Sequence, residues 1–71
     1  MLGKEHPDTA TTYNNIAGVY YEQGDYKAAL EWLQKALPIF EAKLGHEHPN
    51  TKFVRKAIEI VTAKLAESDP T

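Results

Sequence analysis

The chain has 71 residues and a formal net charge of −2, from 8 lysines and arginines against 10 aspartates and glutamates. A chain of this length forms one small domain, and the absence of cysteine excludes disulfides and thiolate zinc sites. The slight acidity argues against nucleic-acid binding, and apolar runs of at most three residues exclude a membrane span, so we expect a cytoplasmic protein.

The first predicted helix runs from about Asp8 to Gln23, where apolar residues recur at helical spacing. Pro7 suits the first turn of a helix, and Asp8 or Thr9 is the expected N-terminal cap. Gly24 should end the helix, because glycine adopts a positive φ at little cost. The apolar face of this helix consists of Tyr13, Ile16, Ala17 and Tyr20.

The second predicted helix runs from about Tyr26 to Lys43 and should stop at Gly45. Pro38 removes one backbone hydrogen bond inside it, so we expect a bend there or a break near Leu37. Its apolar stripe consists of Ala29, Leu30, Leu33, Ala36, Leu37 and Phe40. The short turn before this helix makes it an antiparallel neighbour of the first.

The third predicted helix runs from about Asn50 to Ala66, with Asn50 or Thr51 as its cap. One of its faces carries Val54, Ile58, Val61 and Leu65. Phe53 and Ile60 lie about 100–120° to one side of that face, so one neighbouring helix cannot cover both groups. Because the connection from the second helix is short, the third folds back on the first two. The result is an all-α stack of three helices.

An internal sequence repeat occurs where the chain enters the first and the third predicted helix. Six of eight residues are identical between Leu2–Thr9 and Leu44–Thr51, which gives a period of 44 − 2 = 42 residues. Both segments contain Glu-His-Pro, and His46 and His48 form an H-x-H pair. Recurrence at the repeat period indicates turn structure, so we predict no metal site at these histidines.

The spacing resembles that of the tetratricopeptide repeat. The matching residues are Tyr13-x2-Ile16-Ala17-x2-Tyr20, then Gly24-Asp25-Tyr26, then Ala29-x3-Leu33 and Ala36. The 42-residue period is similar to the longer repeats of the kinesin light chain class. The resemblance implies a right-handed stack with an antiparallel helix-turn-helix unit over residues 1–49.

The repeat pattern decays in the third helix. A shift of 42 residues places Arg55, Glu59 and Thr62 where the first helix has Tyr13, Ala17 and Tyr20. Such residues cannot accept a further helix as the first unit does, so residues 50–67 are predicted to form a capping helix. Residues 68–71 are predicted to be a frayed tail.

The resemblance also implies a peptide-binding groove lined by first helices. The candidate peptide-binding residues are Thr11, Asn14, Asn15, Gly18, Tyr21 and Glu22. Asn15 is similar to an asparagine with which some family members hold the backbone of a ligand, since an amide side chain both donates and accepts. The alternative is that these residues are ordinary solvent-facing side chains.

A second surface is predicted for self-association as a homodimer. It combines Val19, on an uncovered flank of the first helix, with Phe53 and Ile60 on the third. Either the third helix docks on the second copy, with small Ala57 allowing a close approach, or the third helix is swapped between chains.

The functional prediction is therefore a module that binds a protein, as an extended peptide or a partner helix. The alternative is an excised or engineered structural repeat unit that self-assembles and has no ligand of its own. No catalytic motif or phosphate-binding loop is present, so we expect neither an enzyme nor a cofactor.

Overall fold

The computed structural model describes residues 6–68, which form three helices. Helix α1 is Pro7–Glu22, α2 is Tyr26–Leu44 and α3 is Pro49–Ser68. No strand occurs within this described range, and the predicted all-α architecture is confirmed. Helix α3 extends two residues beyond its predicted end at Ala66. Of the predicted tail, residues 69–71 lie outside the described residues.

The N-terminus of α1 is capped by a histidine. The Nδ1 atom of His6 accepts a hydrogen bond from the backbone N–H of Asp8 at 3.0 Å, and Pro7 occupies the first turn. The expected cap at Asp8 or Thr9 is therefore wrong. The His6 imidazole extends past Pro7 and accepts from the N–H of Asp8, which is one of the first N–H groups of the helix and has no acceptor inside it.

Helix α3 begins with the same arrangement. The Nδ1 atom of His48 accepts from the backbone N–H of Asn50 at 3.0 Å, and Pro49 opens the helix. Asn50 and Thr51, expected as caps, instead lie inside the helix. Thr51 is fully buried, and its hydroxyl has no hydrogen-bond partner among the described residues.

Glycine ends α1 as predicted. Gly24 has a φ of 84°, its N–H donates to the Tyr21 carbonyl at 3.0 Å, and the Asp25 N–H donates to the Tyr20 carbonyl at 2.9 Å. These two bonds form a Schellman motif. The Asp25 carboxylate then accepts from the N–H of Ala28 at 3.2 Å and caps α2, so the chain reverses within three residues.

Helix α2 continues without interruption through Pro38, and the predicted break near Leu37 is wrong. Pro38 is exposed, and so is Gln34, the residue whose carbonyl loses its usual partner. Water can therefore satisfy that carbonyl. The helix ends at Gly45, which has a φ of 90°, as the sequence predicts.

The core lies along α2, which packs against both other helices. Ala17 of α1 and Ala29 of α2 are almost fully buried at 1% and 0% exposure, and Phe40 is the largest fully buried side chain. Val54 and Val61 bring α3 onto the other side of α2. Helices α1 and α3 contact each other only weakly, so a groove opens between them.

Candidate functional site

The groove between α1 and α3 is the candidate functional site. Its volume is about 510 Å³, and α2 contributes Leu33 to its floor. The α1 residues that line it are Asn14, Asn15, Ala17, Gly18, Val19, Tyr21 and Glu22, and the α3 residues are Phe53, Lys56, Ala57, Ile60 and Val61.

The α1 side of the groove combines amide groups with open space. Asn15 is exposed and Asn14 is half-buried. Gly18 is also exposed, and a methyl group added there would meet no atom within 4 Å. Tyr21 packs against Tyr26 in a tilted arrangement, with ring centroids 5.2 Å apart, which holds its ring beside the groove. These residues form a polar edge, and the amide side chains of Asn14 and Asn15 have no hydrogen-bond partner among residues 6–68.

Thr11 differs from the other candidate peptide-binding residues. It is not among the residues that line the groove, and its hydroxyl donates to the Pro7 carbonyl at 3.1 Å. This bond lies within the first turn of α1, where serine and threonine side chains often bond to a preceding carbonyl. The structure therefore gives Thr11 a local partner at the start of the helix.

The α3 side of the groove is apolar and exposed. Phe53 is 61% exposed and Ile60 is 42% exposed, and half-buried Ala57 lies between them along the helix. Val19, which is 55% exposed, belongs to the α1 side of the same groove. The residues predicted for self-association thus share one groove with five of the six residues predicted for peptide binding. Sequence reasoning had assigned them to two surfaces.

Sequence reasoning assigned neither Lys56 nor Leu33 to a functional surface, and it placed Ala57 in the self-association surface alone. The repeat period carries a signal for two of them. Subtracting 42 relates Lys56 to position 14 and Ala57 to position 15, the two asparagine positions of α1. Adding one period to the positions of the candidate residues on α1 therefore identifies residues of α3 that line the other wall of the groove.

The described lining residues include one charge of each sign. Glu22 is exposed near the C-terminus of α1, and Lys56 is exposed within the first half of α3. Neither forms an ion pair with another residue of the described range. Both charges are therefore available to a bound partner.

The other aromatic residues and the histidines lie outside this groove. Tyr13 and Trp32 pack in a tilted arrangement with ring centroids 5.3 Å apart, and the Lys35 Nζ atom lies 5.1 Å from the Trp32 centroid. Trp32 is half-buried. Within residues 6–68, no three potential metal-ligating side chains come together. None of the helices in this range has an apolar stretch long enough to cross a bilayer.

The outer face of α3 is polar, as the decay of the repeat pattern predicts. Glu59 and Thr62 are exposed, at positions equivalent to Ala17 and Tyr20 of α1. Arg55 turns back along the chain and donates to the His46 carbonyl. A further helix packed here would bury charged groups without partners, which is costly.

Comparison with known proteins identifies the class to which this fold and groove belong. The sequence pattern of the tetratricopeptide repeat family matches residues 9–50, more than half of the chain. The chain belongs to the tetratricopeptide repeat family, as the spacing of its residues predicts, and this membership supports a general role in protein–protein interaction.

Two curated relatives share the repeat. The chain is 41% identical over 51 residues to the clustered mitochondria protein homolog of Homo sapiens. It is 38% identical over 50 residues to the protein KINESIN LIGHT CHAIN-RELATED 2 of Arabidopsis thaliana. The matches cover 72% and 70% of this chain but only 4% and 8% of those relatives. No solved structure shows a significant match.

Proposed function

We propose that this chain is a protein-interaction module that binds its partner in the groove between α1 and α3. One observation carries the proposal: the amide edge of α1 and the exposed apolar edge of α3 line a single groove of about 510 Å³. An apolar wall beside a few polar groups is the usual composition of a binding site, because the first provides affinity and the second fixes orientation.

The chemistry of the two walls indicates what the partner presents. Asn15 can donate to and accept from the backbone of an extended peptide. Phe53 and Ile60 offer apolar surface to a bulky side chain or to the apolar face of a helix. Catalysis and a cofactor are not part of this proposal, and a cytoplasmic location remains a prediction.

Isothermal titration calorimetry against a peptide library tests the proposal. For a peptide that binds, Asn15→Ala should weaken the affinity by about 2- to 10-fold, the worth of one net hydrogen bond. Gln34→Ala is the matched control, because Gln34 is exposed on α2 and does not line the groove. If Asn15→Ala and Gln34→Ala both leave every detected affinity unchanged, the groove is not the binding site.

The second proposed role is self-association as a homodimer. The exposed large hydrophobic residues of the described range are Val19, Phe53 and Ile60. Exposed apolar side chains that cluster on a small domain are typical of a contact surface. Sedimentation equilibrium at several concentrations measures this role, and a single mass near 8.0 kDa throughout would contradict it.

A further inference from the structure

We propose that the groove of each chain is filled by α3 of a second copy, so that homodimerisation and partner binding exclude each other. This inference rests on the proposed function, because it names what occupies the same groove when no partner is bound. It follows from the finding that residues predicted for two separate surfaces line one groove.

Helix α3 is suited to lie in a copy of its own groove. Phe53 and Ile60 are seven residues apart, about 10 Å along the helix, and Ala57 lies between them. A two-fold axis beside Ala57 would let the two α3 helices approach closely and run antiparallel. Each Phe53 would then face the region of Ile60 in the other copy. Such an interface is isologous, since the same patch serves both chains.

The charges of the groove fit this arrangement. Helix α3 of the second copy brings its Lys56 to a groove whose other wall, α1, carries Glu22. The two-fold axis generates the same pair a second time. Opposite charges across an interface fix its register and disfavour other orientations. Both groups are free of ion pairs within the described part of the chain, so no intramolecular pair must be broken.

A docked dimer explains the exposed residues better than a swapped one. Exchange of α3 between chains would rebuild the existing contacts of Val54 and Val61 with α2. It would leave Phe53, Ile60 and Val19 as exposed as they are in the single chain. Docking in the groove covers these residues, and the loss of apolar surface from water stabilises the dimer.

A single engineered thiol tests occupation of the groove. The chain has no cysteine, so a thiol introduced by Gly18→Cys reacts alone, and a Cβ atom at this position meets no atom within 4 Å. The rate of its reaction with a maleimide should fall about tenfold at concentrations where nine-tenths of the chains are dimeric, because only the monomer exposes the thiol. Gln34→Cys, on the exposed surface of α2, should react at a constant rate.

The same variant tests mutual exclusion without a natural ligand. A bulky pyrene maleimide attached to the thiol of the Gly18→Cys variant fills the groove and should convert dimers into monomers in sedimentation equilibrium. The same adduct on the Gln34→Cys variant should leave them dimeric. Phe53→Glu in the Gly18→Cys background should restore full thiol reactivity at every concentration, because it removes the docked dimer.

Three results would overturn the inference. These are a monomer at all concentrations, a dimer whose groove thiol stays fully reactive, or a dimer that persists with the groove filled. Each leaves the partner-binding role standing if a peptide still binds and Asn15→Ala weakens its affinity. Conversely, the thiol could be protected in the dimer while the chain binds no peptide of the library. That result would support the docked dimer and contradict the partner-binding role.

Discussion

His6 and His48 cap helices in the same way, and this explains why the sequence around them is repeated. In both joints the imidazole Nδ1 accepts from the backbone N–H two residues ahead, across a proline that opens the helix. Glu-His-Pro therefore recurs where the chain enters a helix. The third histidine, His46, has a different environment, with its Nδ1 3.4 Å from a Glu41 carboxylate oxygen at the surface.

Replacing the cap of α3 should destabilise the fold. We expect His48→Ala to lower the free energy of unfolding by about 1 kcal/mol, because a backbone donor at the start of α3 loses its acceptor. His48→Asn should recover most of the loss, since its side-chain oxygen can accept the same bond. Urea denaturation measures both.

His46→Ala provides the matched control for the cap. It removes an exposed contact whose contribution is small, so its unfolding midpoint should stay close to that of the parent. A His48→Ala variant as stable as His46→Ala would show that the cap contributes nothing.

At the residue scale, the sequence predicted correctly which apolar side chains are exposed, but it did not predict the residues that cap the helices. The angular position of Phe53 and Ile60 on α3 was enough to place them outside the core, and both are exposed. The caps were predicted two or three residues too late, because aspartate, asparagine and threonine are commoner helix caps than histidine. The complete burial of the Thr51 hydroxyl follows from the fit of α3 against α2, which no local pattern carries.

At the element scale, α2 tolerates a proline in its interior, and this should have a measurable cost. Proline in a helix costs about 3 kcal/mol relative to alanine, and its restriction of the unfolded chain offsets up to about 1 kcal/mol. Pro38→Ala should therefore raise the free energy of unfolding by about 2 kcal/mol. Ala42→Gly, at an exposed site of the same helix, should lower it by about 1 kcal/mol.

Denaturant titration of the two variants compares them in one helix. A Pro38→Ala variant no more stable than the parent would mean that the surroundings of α2 have fully adapted to the proline. The predicted break is wrong for a related reason: the carbonyl that loses its donor belongs to exposed Gln34, where water can take the place of the missing donor.

The helices could be predicted from the sequence, but the groove could not. Periodicity, Gly24, Gly45 and Pro7 located α1, α2 and α3 to within two residues of their ends. The weak contact between α1 and α3 depends on how each helix tilts on α2, which is set by side-chain packing across the core. The sequence therefore supplied the residues of the site without showing that they face one another.

For the whole molecule, self-association should appear as a thermal stability that depends on concentration. A dimer that dissociates on unfolding gains about 0.7 kcal/mol per chain for each tenfold rise in concentration, which corresponds to a midpoint shift of about 3–6 °C for a domain of this size. Differential scanning calorimetry over two decades of concentration measures the shift.

Phe53→Glu is the control for this shift. It should remove the concentration dependence while leaving the core intact, because Phe53 is 61% exposed and lies outside the buried cluster. A midpoint that does not move with concentration in the parent chain would argue against a dimer that melts with the fold.

The contact between the rings of Tyr13 and Trp32 gives this molecule a fluorescent reporter of one helix contact. Trp32 is the only tryptophan, and its partner ring belongs to α1, so its emission responds when α1 and α2 separate. Helix α3 makes no part of that pair, whereas far-ultraviolet circular dichroism records all three helices. Coincident melting curves from the two signals would describe one cooperative unit; a dichroism change that precedes the emission change would show α3 detaching from an intact hairpin.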